Sequence, residues 1–148
     1  MKVFIDADGC PVVNETISVC RKFGIKCVII CDTAHTIERE GAETIVVEKG
    51  ADSVDFKIVN LLESGDIAVT QDYALAAMCL SRNAAVINQN GLEYTSLNID
   101  GLLFSRFMSK KIRAAGGRLK GPPKRDKRMN EIFSEKLEEM IKSKLGEI

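Results

Sequence analysis

Short β-branched runs recur at residues 2–5, 26–31 (KCVIIC), 44–48 (TIVVE), 67–70 and 84–88 (AAVIN). Each is a strand's length, and helix-length segments separate most of them. In residues 11–23, Pro11 suits a first helical turn and Val12, Ile17, Val19, Cys20 and Phe23 form an apolar stripe, which Gly24 ends. From 52 to 63, Val54, Ile58, Val59, Leu61 and Leu62 recur at helical spacing before Ser64-Gly65, and a further helix follows over 73–81. Residues 33–40 are polar and read as a loop with a helical turn. Strands joined through helices imply right-handed βαβ units. The fold class expected is therefore α/β, a three-layer α/β/α arrangement around a mostly parallel sheet of about five strands.

One domain is expected for 148 residues, with a core over about 1–97 and a basic helix, a loop and a last helix over 98–148. Asn90-Gly91 marks a turn, and 92–95 reads as a short extension. Asn98 or Asp100 can cap a helix running to about 115. Residues 116–123 (GGRLKGPP) cannot be helical and read as a mobile or ligand-ordered loop. In residues 126–145, Met129, Ile132, Phe133, Leu137, Met140, Ile141 and Leu145 share one side of a final helix. This helix is expected to pack on its own sheet, which needs cover on both faces. Hydrophobic residues make up 45% of the chain, enough for a buried core and too many for a disordered chain. No apolar run approaches a membrane span, and carboxylates interrupt the N-terminal run before a signal core forms, so a cytoplasmic protein is expected.

Five cysteines (10, 20, 27, 31 and 79) contain no Cys-x-x-Cys pair, and the single His35 cannot complete a zinc site. Buried reduced thiols are the reading for four of them. Cys10 stands apart because it lies beside two carboxylates. His35, in a polar loop, reads as a surface hydrogen-bonding group.

The charge balance of 21 basic and 21 acidic residues hides a segregation. Residues 1–103 carry 8 basic and 15 acidic side chains, a net of −7. Residues 104–128 carry ten basic side chains against Asp126 alone, a net of +9. Such asymmetry points to a polyanionic partner, RNA above all. Arg106 and Arg113, seven apart on one helical face, are the leading phosphate contacts, followed by Lys110, Arg118, Lys120, Lys124 and Arg125.

The acids fall where chemistry sits in an open parallel sheet, at the carboxyl ends of strands. Asp6 and Asp8 (FIDADG) end the first run, and Asp72 follows the fourth (IAVTQD). Asp52 and Asp55 open the central helix three positions apart and share a face. Taken singly, each has a local use: Asp8-Gly9 as a turn, Asp52 and Asp72 as helix caps. Brought together, they would repel unless a hard divalent cation offset them, and oxygen-only ligands favour Mg²⁺ or Mn²⁺. Thr70 and Gln71 could hydrogen-bond a phosphate or a metal-bound water, or simply satisfy the strand end. An acid cluster beside a basic arm reads as a metal-dependent nuclease.

The segments FIDADGCPV, GADSVDFKIVN, GDIAVTQDYALA and NQNG, with the Gly-Pro loop before the last helix, strongly resemble the YaiI/YqxD family of uncharacterised bacterial proteins. That family is assigned to the PIN-like nuclease superfamily, and the resemblance runs over nearly the whole chain. It implies a PIN-like α/β/α domain whose acids hold Mg²⁺ or Mn²⁺ for RNA cleavage. By position, Asp6 matches the acid after the first PIN strand and Asp72 the acid after the fourth. Asp55, with Asp52 as its partner, resembles the mid-domain helix acid, while Asp8 belongs to the family's own motif. Asp6, Asp55 and Asp72 are thus the implied catalytic set. Gly9 stands where the family usually has Ala. Asn88 and Asn90 occupy the neighbourhood of the last PIN acid, which is compatible with one metal, a weak enzyme or a site that only binds.

Two other classes compete. A haloacid-dehalogenase-like phosphatase also begins strand-Asp-x-Asp, with Asp6 as nucleophile and Asp8 as acid/base, but has no Cys after that motif. Its second acidic motif also differs, because Asp66 and Asp72 are six apart. A non-catalytic RNA- or nucleotide-binding module would use the same acids for a structural ion.

Overall fold

A computed structural model describes residues 1–119, 121 and 124–146. The chain runs β1 (Lys2–Asp6), α1 (Val13–Phe23), β2 (Lys26–Asp32), β3 (Glu43–Val47), α2 (Ser53–Leu61), β4 (Ile67–Val69), α3 (Tyr73–Ser81), β5 (Ala85–Ile87), β6 (Glu93–Tyr94), α4 (Ile99–Ala114) and α5 (Lys127–Leu145). One sheet of six strands has the order β3-β2-β1-β4-β5-β6. All pairings are parallel except β5 with β6. The architecture is the expected three-layer α/β/α, with the short β6 added as an antiparallel edge.

The continuous apolar runs follow from cover on both faces. Val3, Ile5, Cys27, Ile29, Cys31, Ile67, Val69 and Ile87 pack against α1 and α5. Their alternating neighbours Phe4, Val28, Ile30, Ala68 and Val86 pack against α2, α3 and the start of α4. Cysteines 20, 27, 31 and 79 are buried free thiols. Helix α5 closes the first layer through Phe133, Leu137, Met140 and Ile141. The last helix therefore packs on its own sheet.

Several local expectations need correction. Helix α1 starts at Val13 with no side-chain cap, so Pro11 precedes the helix rather than entering its first turn. The 33–40 segment holds turns but no helical turn. Asn98 occupies the cap position of α4, yet its side chain accepts the Thr95 N–H and donates to the Glu93 carbonyl instead. On α5, Ile132 and Leu145 are 42% and 45% exposed, because the sheet and α1 cover a narrower stripe than the apolar pattern implied.

The strand order creates a topological switch. From β1 the chain builds leftward to β2 and β3, then crosses back so that β4 lies on the other side of β1. Connections diverging from two adjacent strands leave a crevice at their carboxyl ends, where open α/β sheets bind ligands. Asp6 ends β1, and Thr70, Gln71 and Asp72 follow β4 at this edge.

Candidate active site

A cleft of about 440 Å³ opens at the β1/β4 switch point. Its acidic lining consists of Asp6, Asp8, Asp32, Asp52, Asp55 and Asp72, and Arg106 is the basic side chain among them. All five acids singled out from the sequence therefore line one crevice, from the end of β1 and the turn after it, the loop after β4 and the start of α2.

Thr70 holds two of them. Its hydroxyl donates to Asp6 Oδ2 at 2.7 Å and accepts the Asp72 backbone N–H at 3.0 Å. Asp72 in turn caps α3, its Oδ1 accepting from the N–H groups of Ala74 and Leu75. Gln71 donates from Nε2 to the Gly9 carbonyl at 3.0 Å and ties the Asp8-Gly9 turn to the rim. Thr70 is buried, so Thr70→Val leaves a carboxylate without its donor and a backbone N–H without its acceptor. We expect a stability loss of about 2 kcal/mol by thermal melting, recovered by Thr70→Ser, which keeps the hydroxyl.

Electrostatics set Asp6 and Asp55 apart within the cluster. Burial raises Asp6 above the usual carboxylate range; the Thr70 hydroxyl opposes that, while Asp72 and Asp8 add to it. Asp55 is pushed up to about 6, first by desolvation and then by Asp6, Asp72 and Asp52. A carboxyl whose pKa is higher folded than unfolded retains protons on folding, so its contribution is lost as pH rises through the interval between the two values. For Asp55 that interval runs from about 4 to about 6. Asp55→Asn is therefore expected to stabilise the protein at pH 7.5 in EDTA. The gain is about 1 kcal/mol once solvent screening of this half-buried group is allowed for, and it disappears at pH 4. Paired melts at the two pH values check it.

Asp52 is not the cap its sequence position suggests. It sits in the left-handed region (φ 61°) and makes no side-chain cap bond, although its carboxylate lines the cleft. A non-glycine residue held there is a local strain of the sort that collects at functional sites.

Asp32, at the tip of β2, was missed from the sequence. Drawing β2 as 26–31 stops one residue short of it, although it carries the same strand-tip signal as Asp6. Desolvation opposes its ionisation, but hydrogen bonds from the His35 backbone and ring and the Ala34 backbone outweigh that and hold its pKa low. His35 Nδ1 lies 3.2 Å from Asp32 and 4.0 Å from Asp8, bringing the one histidine to the cleft rim.

The basic residues divide. Arg106 reaches the cleft from α4, with its guanidinium 6.0 Å from the centre of the Tyr73 ring. Lys110 and Arg113 continue the same side of α4 along a groove with Tyr73, Ser105 and Ser109. Arg118 and Lys124 are exposed in the connection to α5 and do not line the cleft. Lys120 lies outside the described residues. Arg125 spends its guanidinium on Asn130 Oδ1, Asn90 Oδ1 and the Gln89 carbonyl, pinning the Asn-Gly turn to α5.

Two supporting residues are likewise engaged. The Asn88 side-chain oxygen accepts the N–H groups of Asn90 and Leu92 and shapes that turn. Burial, the largest influence, raises the Cys10 thiol to about 11, which keeps it protonated at neutral pH. Asp66 accepts the Lys2 and Glu63 N–H groups at the amino end of β4. It is thus at the opposite edge from the cleft, and among the described residues no lysine joins the lining, so the phosphatase arrangement lacks its supporting groups there.

The donors fit a hard divalent cation in kind: they are oxygen-only carboxylates, of which Asp6 and Asp55 are raised by burial and by their acidic neighbours. Among the described residues, no three His, Cys, Asp or Glu side chains are grouped closely enough to hold one ion as they stand. The cleft gathers the donors without closing a coordination shell.

Among the described residues, no helix is long and apolar enough to cross a membrane. No solved structure gives a significant match. Bacterial relatives named only as UPF0178 proteins are similar along most of their lengths. The protein from Exiguobacterium sibiricum is 49% identical over 144 residues, covering 97% of this chain and 99% of its own. That from Ruminiclostridium cellulolyticum is 46% identical, covering 96% and 93%. The Enterococcus faecalis protein is 40% identical over 98% of this chain and 100% of its own. The family model described as "Uncharacterized BCR, YaiI/YqxD family" matches residues 4–143, and this chain belongs to that family.

Proposed function

We propose that the protein is a cytoplasmic PIN-like nuclease that hydrolyses phosphodiester bonds in RNA with a divalent cation, Mg²⁺ or Mn²⁺. The observation that carries this reading is the convergence of Asp6, Asp55 and Asp72 on one cleft at the switch point, with Arg106 on its rim. Asp6, Asp55 and Asp72 would hold the cation, and Asp8 and Asp52 would add negative charge around it. The chemistry supplied by such a cation is neutralisation of the carboxylates, polarisation of the phosphoryl group and activation of water. Thr70 fixes the Asp6 carboxylate in place. Arg106, with Lys110 and Arg113 behind it, grips the phosphates flanking the scissile bond, so that the strand lies between the acid cleft and α4.

A second reading is a non-catalytic RNA- or nucleotide-binding module. It is favoured by the neutral Asn88 and Asn90, engaged in their own turn where the PIN pattern wants an acid, and by the open spacing of the donors. The test is cleavage of end-labelled single-stranded and hairpin RNA with Mn²⁺, Mg²⁺ or EDTA, beside an Asp6→Asn/Asp72→Asn variant. The nuclease predicts metal-dependent cuts that the variant lacks. Intact RNA at enzyme excess, under every metal, with salt-sensitive binding retained, would leave the binding module standing instead. Release of inorganic phosphate from small phosphoesters would point to a phosphatase.

A further inference from the structure

Helix α4 is inside out. Its first turns bury Ile99 and half-bury Leu102 and Leu103 against the second layer. Beyond them, the side that continues along the body is polar, with Arg106, Ser109, Lys110 and Arg113 facing the Tyr73 groove. The apolar residues of this stretch point away from the body: Phe104 is 64% exposed, Phe107 52%, Met108 40% and Ile112 40%. At 100° per residue, Phe104, Phe107 and Met108 fall within one 100° sector, and Ile112 flanks it. A surface helix ordinarily turns such a stripe inward, and contiguous exposed patches of this kind mark interaction sites.

The charges on the stripe identify its occupant. Asp100 and Lys111 are the charged residues in that sector, and they stand toward opposite ends of α4. The Lys111 ammonium lies 5.0 Å from the centre of the Phe107 ring, within the stripe. An antiparallel pairing of two α4 helices that sets Phe104 opposite Phe107 of a second copy also sets Asp100 opposite Lys111, twice by symmetry. In the same register Ile112 of the second copy descends close to Gly101, which has nothing within 4 Å of where a side chain would begin. A patch complementary to itself in both shape and charge is what a two-fold interface requires. A nucleic acid fits it poorly, because the stripe carries one acid and one base while the basic residues lie on the other side of the helix.

We propose that the outward face of α4 is an isologous dimer interface, pairing two copies of this chain antiparallel through Phe104, Phe107, Met108 and Ile112, with reciprocal Asp100–Lys111 contacts. The arrangement leaves Arg106, Lys110 and Arg113 free over each copy's own cleft, and it does not depend on what the cleft cuts or binds.

Sedimentation velocity of the full chain, from about 1 to 100 µM, tests it. The wild type is expected to sediment with twice the 16.3 kDa mass of one chain, and Phe104→Ser/Phe107→Ser to weaken association at least about a hundredfold. Asp100→Lys and Lys111→Asp are each expected to weaken it about tenfold, and the two together to restore it to within about threefold of wild type. The last result cannot arise from misfolding. A wild type that stays monomeric throughout overturns the proposal, as does a dimer indifferent to the Phe replacements or a double charge reversal weaker than either single one. A monomer whose RNA binding falls on losing Phe104 and Phe107 overturns it in favour of a nucleic-acid surface.

Discussion

Phe133→Ala is expected to lower stability by about 3–5 kcal/mol, a fall of roughly 10–15 °C in melting temperature at this chain length. Phe133 is fully buried and belongs, with Leu137 and Ile141, to the cluster that joins α5 to α1 and to Ile5, Ile29, Val69 and Ile87 of the sheet. Truncation removes the apolar area buried by the ring and leaves a cavity between elements that cannot easily collapse, since each strand beneath is hydrogen-bonded to a neighbour on both sides. Net stabilities of whole domains are about 5–15 kcal/mol, so this one side chain accounts for a large share. Ile132→Ala, one residue away but 42% exposed, serves as the contrast and should cost less than about 1 kcal/mol. Equal losses at the two positions would mean that α5 covers the sheet differently from the arrangement described.

That contrast also separates what was legible in the sequence from what was not. Runs such as KCVIIC have apolar side chains on both faces, which only a strand covered on both sides uses, so the layers follow from local pattern. The stripe on α5 could be read too, but its buried width depends on the curvature of the sheet below and the position of α1. The two residues of β6 are too few to show a period. Asp6 was readable because a carboxylate ending a buried run lies at the carboxyl edge, and Asp72 because it follows such a run within a few residues. Asp32 carries the same signal and was lost to a one-residue boundary. Asp52 misled for a different reason: aspartate is favoured both as a helix cap and in the left-handed region, and only the backbone distinguishes them. Arg125 likewise resembles its basic neighbours until its three partners in the Asn-Gly turn and α5 are in view.

Under the proposed nuclease function, Asp6→Asn is expected to lower metal-dependent RNA cleavage at least about a hundredfold, some 2.7 kcal/mol of transition-state stabilisation, without a loss of stability. The two halves of this expectation have one cause. Burial, Asp72 and Asp8 all disfavour the ionised Asp6 carboxylate, and among the groups acting on it the Thr70 hydroxyl relieves it. An amide of the same shape keeps an oxygen for that hydroxyl and discards the charge, so the folded state loses a repulsion while the proposed cation would lose a ligand. Residues retained against stability in this way are ones that function requires. Asp66→Asn gives the opposite result because that buried carboxylate accepts two backbone N–H groups through its two oxygens, and an amide offers only one acceptor. It should cost about 2–3 kcal/mol and leave cleavage per folded molecule unchanged. Melting curves and cleavage rates for the two variants, measured side by side, distinguish a functional acid from a structural one. An Asp6→Asn protein that cuts at the wild-type rate, or that melts as early as Asp66→Asn, would remove Asp6 from the active site.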